Sequence, residues 1–244
     1  MNTLPTFKDG AESRPYLFVS ERAEKQITDN NLNETFDVRY LRPYERLDTP
    51  VASHADMLIE RIDDSLITYK EYYDNNPDVF CGTEDIFLLE NVNPVKEYPG
   101  DIALNFLFTG KHLVGKADVI SKKTSETAAD KGIPVINVRQ GYSRCSTLFA
   151  DNCAVTSDKG ISEALKSLGT DTLLIQSGNI KIDKYGYGFI GGASFVYENR
   201  VFFFGNPAYH PDGERIIEFL SLHGKETVIL SDEILNDSGG ATVY

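Results

Sequence analysis

Residues 173–205 read LLIQSGNIKIDKYGYGFIGGASFVYENRVFFFG, and this stretch shows how the chain is built. An apolar segment ends at two small residues (SG), and a short strand follows. Residues 188–205 then form two β-prone runs around the dipeptide EN, which predicts a hairpin. A helical pattern over residues 211–224 and an apolar strand over residues 227–230 complete the unit.

The same order of hairpin, helix and strand recurs along the chain at a spacing of about 35 to 55 residues, as in architectures made of radial repeats. Strands over residues 55–62 and 65–69 are predicted to turn at Asp63-Asp64, and strands over residues 145–150 and 153–156 at Asp151-Asn152; a further strand is predicted over residues 102–108. We therefore predict a single domain over residues 1–244. Its five units cover approximately residues 15–50, 51–98, 99–141, 142–179 and 180–244.

The two ends of the chain each carry an incomplete unit. The first unit begins directly with the strand YLFVS at residues 16–20, with no hairpin strand before it, and residues 241–244 (ATVY) are left over at the end. Pairing of these two segments would remove two exposed sheet edges. The predicted fold class is α/β, a five-bladed pseudo-symmetric propeller of ββαβ units closed by the C-terminal strand. An open α/β sandwich with a mixed sheet is the alternative.

The composition limits the classes of partner. Hydrophobic residues make up 41% of the 244 residues, which is enough for a sizeable core. The net charge of −13 argues against nucleic-acid binding and against an anionic membrane surface. A solvated acidic surface that aids solubility is the favoured explanation of this charge, and a local basic pocket for an acidic ligand is the alternative.

The expected compartment is the cytoplasm. No apolar run approaches the roughly 20 residues that span a bilayer, and the first residues (MNTLPTFKDGAESRP) lack the apolar core of a signal peptide. The three cysteines, Cys81, Cys145 and Cys153, are odd in number and have no CxxC spacing, which is untypical of a disulfide framework.

Three motifs resemble those of a known superfamily. They are QSGN at residues 176–179 followed by IGGAS at residues 190–194, the His54-x-Asp56 pair, and the ending SGGATV at residues 238–243. Together with the repeat pattern they resemble the pentein superfamily of guanidino-group-modifying enzymes, in particular an uncharacterised bacterial branch. This superfamily includes arginine and agmatine deiminases and dimethylarginine hydrolase. The resemblance implies a five-bladed ring and a site for a guanidino-like ligand.

The chain departs from the superfamily at key positions. Val243 stands where the resemblance places the nucleophilic cysteine, and valine cannot attack an amidine carbon. Gln176 stands where the resemblance places a glutamate, and a neutral amide cannot form an ion pair with a guanidinium. His54 also precedes Gln176, the reverse of the superfamily order, which is either a permutation of the ring or a coincidence.

His54, Asp56 and Cys145 are the catalytic candidates. A histidine can act as general acid or base, and Asp56 can hold a cationic ligand; on a strand the two would share one face. The alternative is a hydrogen-bonded loop pair. Cys145 opens a predicted hairpin strand, and neighbouring Arg144 is expected to lower its pKa. A buried structural thiol is the alternative.

The ligand-binding candidates are more scattered. Asp101 follows a Pro-Gly turn and can bind a guanidinium with two hydrogen bonds, or is simply a turn carboxylate. Asn206 lies between a hairpin and a helix, where a capping role is the alternative. Asp237 precedes the double glycine and could face the central channel. Arg144 and Gln176 complete this group of candidates.

No metal site and no cofactor are expected. The four histidines are scattered without ligand spacing, and neither CxxC nor HExxH occurs. The sequence contains no phosphate-binding loop of the P-loop type, and the GYG tripeptide at residues 186–188 lacks the strand-to-helix context of a dinucleotide site.

Two functions remain open. In the first, the chain has lost the nucleophile and binds a small cationic or amino-acid-like ligand, or a protein partner. The resemblance supplies a precedent, since the same ring also occurs in a non-enzymatic ribosome-associated factor. In the second, it is a guanidine or amidine hydrolase or deiminase with a relocated site that uses Cys145, or His54 with Asp56. The oligomeric state is not indicated by the sequence.

Overall fold

The structure, a computed structural model, describes residues 14–244; the expectation that no signal peptide is present concerns residues 1–13, which lie outside this range. The first half contains β1 (Tyr16–Ser20), α1 (Glu24–Asp29), β2 (Asp37–Leu41), α2 (Ala55–Leu58), β3 (Ile59–Ile62), β4 (Ser65–Tyr69), α3 (Lys70–Asn75), β5 (Ile86–Leu89), β6 (Leu107–Phe108) and β7 (Leu113–Gly115). The second half contains α4 (Lys122–Asp130), β8 (Val135–Asn137), β9 (Thr147–Ala150), β10 (Cys153–Thr156), α5 (Lys159–Ser167), β11 (Asp171–Leu174), β12 (Ser194–Tyr197), β13 (Arg200–Phe203), α6 (Gly213–Leu222), β14 (Glu226–Ile229) and β15 (Ala241–Val243). Short 3-10 helices occupy Glu21–Ala23, Leu32–Glu34 and Pro207–Tyr209.

The strands form five three-stranded sheets of one design. In four of the sheets an antiparallel hairpin is followed by a helix and by a third strand that runs parallel to the middle one. In the fourth sheet, for example, Cys153 of β10 pairs antiparallel with Ala150 and parallel with Asp171. This is the ββαβ unit that the sequence predicts. None of the helices in residues 14–244 is long and apolar enough to cross a bilayer.

The last strand of the chain completes the first sheet. β15 pairs antiparallel with β1, with Val243 opposite Leu17, and the amide of Tyr16 donates to the carbonyl of Tyr244 at 2.7 Å. The sheet order β15-β1-β2 therefore has the same design as the other four. The predicted five-bladed α/β propeller, closed by the C-terminal strand, is confirmed.

The hydrophobic core lies between neighbouring sheets. The first and fifth sheets share a cluster, as do the second and third, the third and fourth, and the fourth and fifth. Phe18 of the first sheet packs in the same cluster as Ile67 of the second. Each sheet thus buries both faces against its two neighbours, so no unit could bury its apolar side chains alone.

The hairpin bends follow the sequence closely. Asp63, Asp151 and Glu198 start three of the two-residue turns, and all three have positive φ values, between 53° and 56°. Such left-handed residues match the twist of tight hairpins. The predicted bends at Asp63-Asp64, Asp151-Asn152 and Glu198-Asn199 are therefore confirmed.

Two predicted strands are wrong in part. Residues 55–58 form the single helical turn α2 and not the start of a strand, and residues 102–106 are irregular, so that β6 is reduced to Leu107–Phe108. Both segments are almost entirely buried and apolar, which removes the alternation that distinguishes strand from helix. β9 also begins at Thr147, so Cys145 lies in the turn before the hairpin and not on a strand.

Candidate functional site

The turn α2 carries His54 and Asp56 into the interior. His54 precedes the first helical residue with extended backbone angles, and its carbonyl accepts from the amide of Leu58 at 3.1 Å. The amide of Asp56 donates to the carbonyl of Gly239 at 3.1 Å. His54 and Asp56 are 2% and 1% exposed. They come together on a helical turn, and not on one face of a strand as the sequence suggested.

Cys145 points at Asp56. Its Sγ donates to Asp56 Oδ2 at 2.9 Å and accepts from Asn105 Nδ2 at 2.8 Å. The Asn105 side chain also accepts from the amides of Arg144 and Cys145 at 3.1 and 3.2 Å. Sequence reasoning missed Asn105, although a single amide inside the apolar run IALNFLF was a usable signal, because a buried polar group needs specific partners.

Asp237 completes the cluster. Its Oδ1 lies 3.7 Å from His54 Nδ1, and the same ring nitrogen lies 3.9 Å from Asp56 Oδ1. The amides of Phe189 and Gly239 donate to the two Asp237 oxygens at 2.9 and 3.1 Å. The candidate site, defined by His54, Asp56, Cys145 and Asp237 with Asn105 behind the thiol, thus joins segments that are far apart in sequence.

Two glycines allow these side chains to meet. A Cβ at Gly192 would lie 2.0 Å from Asp237 Oδ1, and one at Gly239 would lie 2.3 Å from the Cβ of His54. Gly239 also has a φ of +82°, a conformation that favours glycine. The glycine motifs IGGAS and SGGATV therefore form walls of the candidate site through close backbone approach.

The resting site holds an uncharged imidazole and an uncharged thiol. Burial, with the Arg22 charge nearby, lowers the pKa of His54 to about 3, and burial with the negative charge of Asp56 raises the pKa of Cys145 well above its usual range. Burial and the charge of Asp237 raise the pKa of Asp56 to about 8. Burial also raises the pKa of Asp237 to about 6.

Arg144 does not activate the thiol in the way the sequence suggested. Its guanidinium donates to the carbonyl of Ile59 and to Thr242 Oγ1, the latter at 2.6 Å, and lies 3.5 Å from Glu60 Oε2. These contacts join β3 and β15 to the turn that carries Cys145. Arg144 is a structural clamp beside the candidate site, and the pKa of Cys145 is raised and not lowered.

A cavity of about 220 Å³ opens onto the candidate site. His54 and Asp237 line its inner end, and Arg22, Lys181 and Asp183 line it further out. The volume suits a molecule smaller than most drug-sized ligands, whose pockets begin at about 300 Å³. A ligand in this cavity would meet the imidazole and a carboxylate directly.

The other predicted ligand residues lie elsewhere. Asp101 accepts from the Tyr142 hydroxyl at 2.5 Å, and Asn206 accepts from the amide of Ala208 as a helix cap while donating to Asp232. The Gln176 side chain is exposed. Asn206 thus has the capping role that the sequence left open as an alternative.

The candidate site also has a metal-like donor set. One atom each from His54, Asp56 and Asp237 lies within 4.8 Å of the other two. No spacing in the sequence indicates this donor set, because Asp237 is separated from the His54-x-Asp56 pair by almost the whole chain. A thiol, an imidazole and two carboxylates in one place can support nucleophilic attack, proton transfer or cation binding.

Solved structures place this fold in the pentein class. A dimethylarginine dimethylaminohydrolase adduct matches with a TM-score of 0.60 and 10% identity, over 95% of this chain and 99% of that chain. An agmatine deiminase from C. jejuni matches at 0.54 and 11%, over 95% and 93% of the two chains. An amidinotransferase from Microseira wollei matches at 0.55 and 13%, over 89% and 88%. The predicted relation to the pentein superfamily is confirmed for the fold.

The family itself is defined by sequence. A family model described as "Family of unknown function (DUF6873)" matches residues 18–242, and the chain belongs to this family. A comparison with curated proteins gave no match. The chain is thus a member of this family that has the fold of the solved structures above.

Proposed function

We propose that this protein is a thiol-dependent enzyme that acts on a C–N bond of a guanidine or amidine, with Cys145 as the nucleophile. The observation that carries the proposal is the contact of the Cys145 thiol with Asp56 in one buried cluster with His54 and Asp237. The fold supports it, because solved structures with this fold include a dimethylarginine dimethylaminohydrolase, an agmatine deiminase and an amidinotransferase.

Recognition of a cation follows from the charges of the candidate site. Asp56 and Asp237 are both buried, and neither forms an ion pair with an arginine or lysine of residues 14–244. Buried carboxylates without a cation are costly, and a guanidinium can bind a carboxylate with two parallel hydrogen bonds. A cationic substrate would therefore stabilise both carboxylates, and its positive charge would make the Cys145 thiolate easier to form.

The proposed reaction consists of two successive displacements at the same carbon atom. When the cationic substrate is bound, its positive charge favours the ionised form of Asp56, whose own proton passes to solvent. The Asp56 carboxylate then accepts the proton of the Cys145 thiol, and Sγ attacks the central carbon of the substrate. The C–N bond breaks, and ammonia or an amine leaves with that proton. Water from the cavity then gives a proton to His54 and attacks the same carbon. The C–S bond breaks, the thiol regains a proton, and a urea-type product leaves.

Val243 has a separate role. The expectation of a chain without a nucleophile rested on this valine, which lies in β15 opposite Leu17 and packs against the core between the first and fifth sheets. The candidate site contains a cysteine from another unit of the ring. Position 243 therefore carries no nucleophile, and the proposed reaction uses Cys145.

Binding without turnover is the second candidate function. The observation that favours it is the position of the thiol: Cys145 is 5% exposed, and the cavity is lined by His54 and Asp237 and not by Cys145. In this function a small cationic or amino-acid-like molecule occupies the cavity and contacts the carboxylate and the imidazole. The cytoplasm is the proposed compartment for both functions.

The test is turnover of a panel of guanidines and amidines, followed as release of ammonia or amine and of a urea-type product. We expect Cys145→Ser to abolish turnover while the thermal unfolding curve stays close to that of the wild type. Cys153→Ser and Cys81→Ser are the matched controls and should keep activity, since neither cysteine is part of the candidate site.

Intact-mass measurement separates the two functions. An adduct on Cys145 during turnover supports the covalent reaction. Absence of turnover with every compound, together with a thermal shift that Cys145→Ser retains, would replace the enzyme with the binding module. Equal activity of Cys145→Ser and the wild type would overturn the assignment of the nucleophile.

A further inference from the structure

We propose that His54, Asp56 and Asp237 form a binding site for a divalent transition-metal ion of the Zn²⁺ type, with its open coordination position facing the cavity. This proposal goes beyond the reaction above and does not depend on it. It starts from the geometry of three buried side chains that converge from two distant segments of the chain.

The distances suit a small ion after slight contraction. His54 Nδ1 lies 3.9 Å from Asp56 Oδ1 and 3.7 Å from Asp237 Oδ1, and the three ligand atoms all lie within 4.8 Å of one another. Ligand atoms about 2.1 Å from a zinc ion lie roughly 3.4 Å apart in a tetrahedral site. Small rotations of the three side chains would bring their atoms to that spacing.

An unpartnered atom points into this space. Asp56 Oδ1 is buried and has no hydrogen-bond partner within residues 14–244, whereas Asp56 Oδ2 accepts from Cys145. Most buried polar atoms have a partner, and a buried carboxylate oxygen without one is costly. A cation between Asp56 and His54 would supply that partner.

The surroundings orient the ligands as in known metal centres. The amides of Phe189 and Gly239 donate to the oxygens of Asp237, and the Cys145 thiol donates to the outer oxygen of Asp56. Such hydrogen bonds from outside the ligand set fix the direction of the ligating atoms. The cavity reaches His54 and Asp237, so it gives an ion an entry path and leaves room for water.

The donor set selects the class of metal. One imidazole nitrogen with two carboxylate oxygens suits zinc and its neighbours in the first transition row, whereas Mg²⁺ and Ca²⁺ prefer oxygen ligands in larger number. Cys145 lies behind Asp56 and not in the three-atom set. The sulfur atom is therefore expected to be dispensable for metal binding, because a serine hydroxyl at position 145 can donate the same hydrogen bond to Asp56, although the thiol is essential for the proposed reaction.

A bound metal and a guanidinium would exclude each other, because both need the two carboxylates. The metal-loaded protein would then be inactive towards guanidines, and a guanidinium ligand would displace the ion. Zinc availability would thereby regulate the site.

The test is zinc binding to the chelator-treated full-length protein, measured by isothermal titration calorimetry and by metal analysis after dialysis. We expect one Zn²⁺ per chain and no stoichiometric binding of Mg²⁺. His54→Ala and the isosteric variant Asp237→Asn should each weaken zinc binding by about 100-fold or more, in keeping with the loss of one ligand. Cys145→Ser and His223→Ala are the matched controls and should bind zinc as the wild type does.

Circular dichroism of each variant separates loss of a ligand from loss of the fold, and Asp56→Asn serves as a third ligand variant. With Co²⁺ we expect visible absorption bands without a sulfur-to-cobalt charge-transfer band. The proposal is overturned by a lack of stoichiometric zinc binding in the wild type, by unchanged binding in folded His54→Ala and Asp237→Asn, or by loss of binding in Cys145→Ser. Turnover of guanidines in the absence of zinc binding would overturn this inference alone and leave the proposed reaction intact.

Discussion

The chain contains two His-x-Asp motifs, and they have opposite environments. His54 and Asp56 lie at α2, and His210 and Asp212 lie just before α6. All four residues are buried, between 1% and 4% exposed. Asp56 has an unpartnered oxygen and a pKa raised to about 8 by burial and by Asp237.

Both carboxylate oxygens of Asp212 have partners. Its Oδ2 accepts from the amide of Gln176 at 2.7 Å, its Oδ1 forms an ion pair with Arg215, and its own amide donates to His210 Nδ1 at 3.0 Å. The amide of Gln176 and the ion pair with Arg215 hold the pKa of Asp212 below its usual range. The His-x-Asp motif is therefore structural where its carboxylate is paired with Arg215, and it is available for a ligand where its carboxylate has no such partner.

The largest expected difference between the two motifs is in activity. Asp56→Asn should lower kcat/KM for a guanidine substrate by about 100- to 1,000-fold, because it removes a charge that stabilises the cationic substrate and the proton acceptor of the thiol. Asp212→Asn should leave kcat/KM within about twofold, because Asp212 does not belong to the candidate site. Steady-state kinetics of the two variants compare them directly. Equal losses would show that the pairing of the carboxylate does not separate the two motifs.

A smaller difference is expected in the pH dependence of stability. Burial raises the pKa of Glu60, beside Arg144, to about 7 from a usual 4.5. The contribution of Glu60 to the free energy of unfolding is therefore fully present below about pH 4.5. It is lost as the pH rises through about 7, and for a shift of this size the free energy of unfolding falls by about 3 kcal/mol. Asp212 has a lowered pKa, so its contribution is present above its usual pKa and is lost at more acidic pH.

Urea denaturation at several pH values checks these opposite signs. The free energy of unfolding of Glu60→Gln should rise relative to that of the wild type as the pH rises from 5 to 8, by up to about 3 kcal/mol. Asp212→Asn should lose stability relative to the wild type at neutral pH, and this loss should shrink in acid. A Glu60→Gln difference that does not change with pH would show that Arg144 fully neutralises Glu60.

The smallest expected effect is on stability at neutral pH. Asp212→Asn should lower the free energy of unfolding by about 1 to 2 kcal/mol, because charge-assisted hydrogen bonds to Gln176 and Arg215 are weakened. Asp56→Asn should be neutral or slightly stabilising, because a pKa of about 8 leaves the Asp56 carboxyl largely uncharged at pH 7 and the variant removes only the remaining cost of ionising it. Chemical denaturation midpoints at pH 7 measure both. A large loss in Asp56→Asn alone would contradict the comparison.

Local signals explain why much of the fold was predictable. The short apolar, β-prone runs of β1, β4 and β13 and the turn residues Asp151 and Glu198 indicate strands and bends within a few neighbouring residues. The closing pair of β15 with β1 was predictable because an incomplete first unit and a spare last strand leave two open edges. The single helical turn α2 was not predicted, because its four buried residues carry no periodic pattern.

The sequence predicted which residues are candidates for the site, but not which of them lie close together in space. His54, Asp56, Cys145 and Asp237 were named from motifs, and the structure brings these four together. Asp101, Gln176 and Asn206 were named in the same way and lie elsewhere. Asn105 was missed, since its place in the apolar run IALNFLF marks a buried amide but does not identify its partner, a thiol 40 residues away.

The sequence by itself determined the repeated hairpin, helix and strand, because apolar periodicity and turn chemistry act over a few residues. The tertiary structure decided which carboxylate is paired and which is left open. A pKa or a ligand site depends on burial and on charges brought close by the fold. Asp56 and Asp212 follow histidines at the same spacing, but Asp212 is paired with Arg215, and Asp56 lies beside Asp237 without a cation.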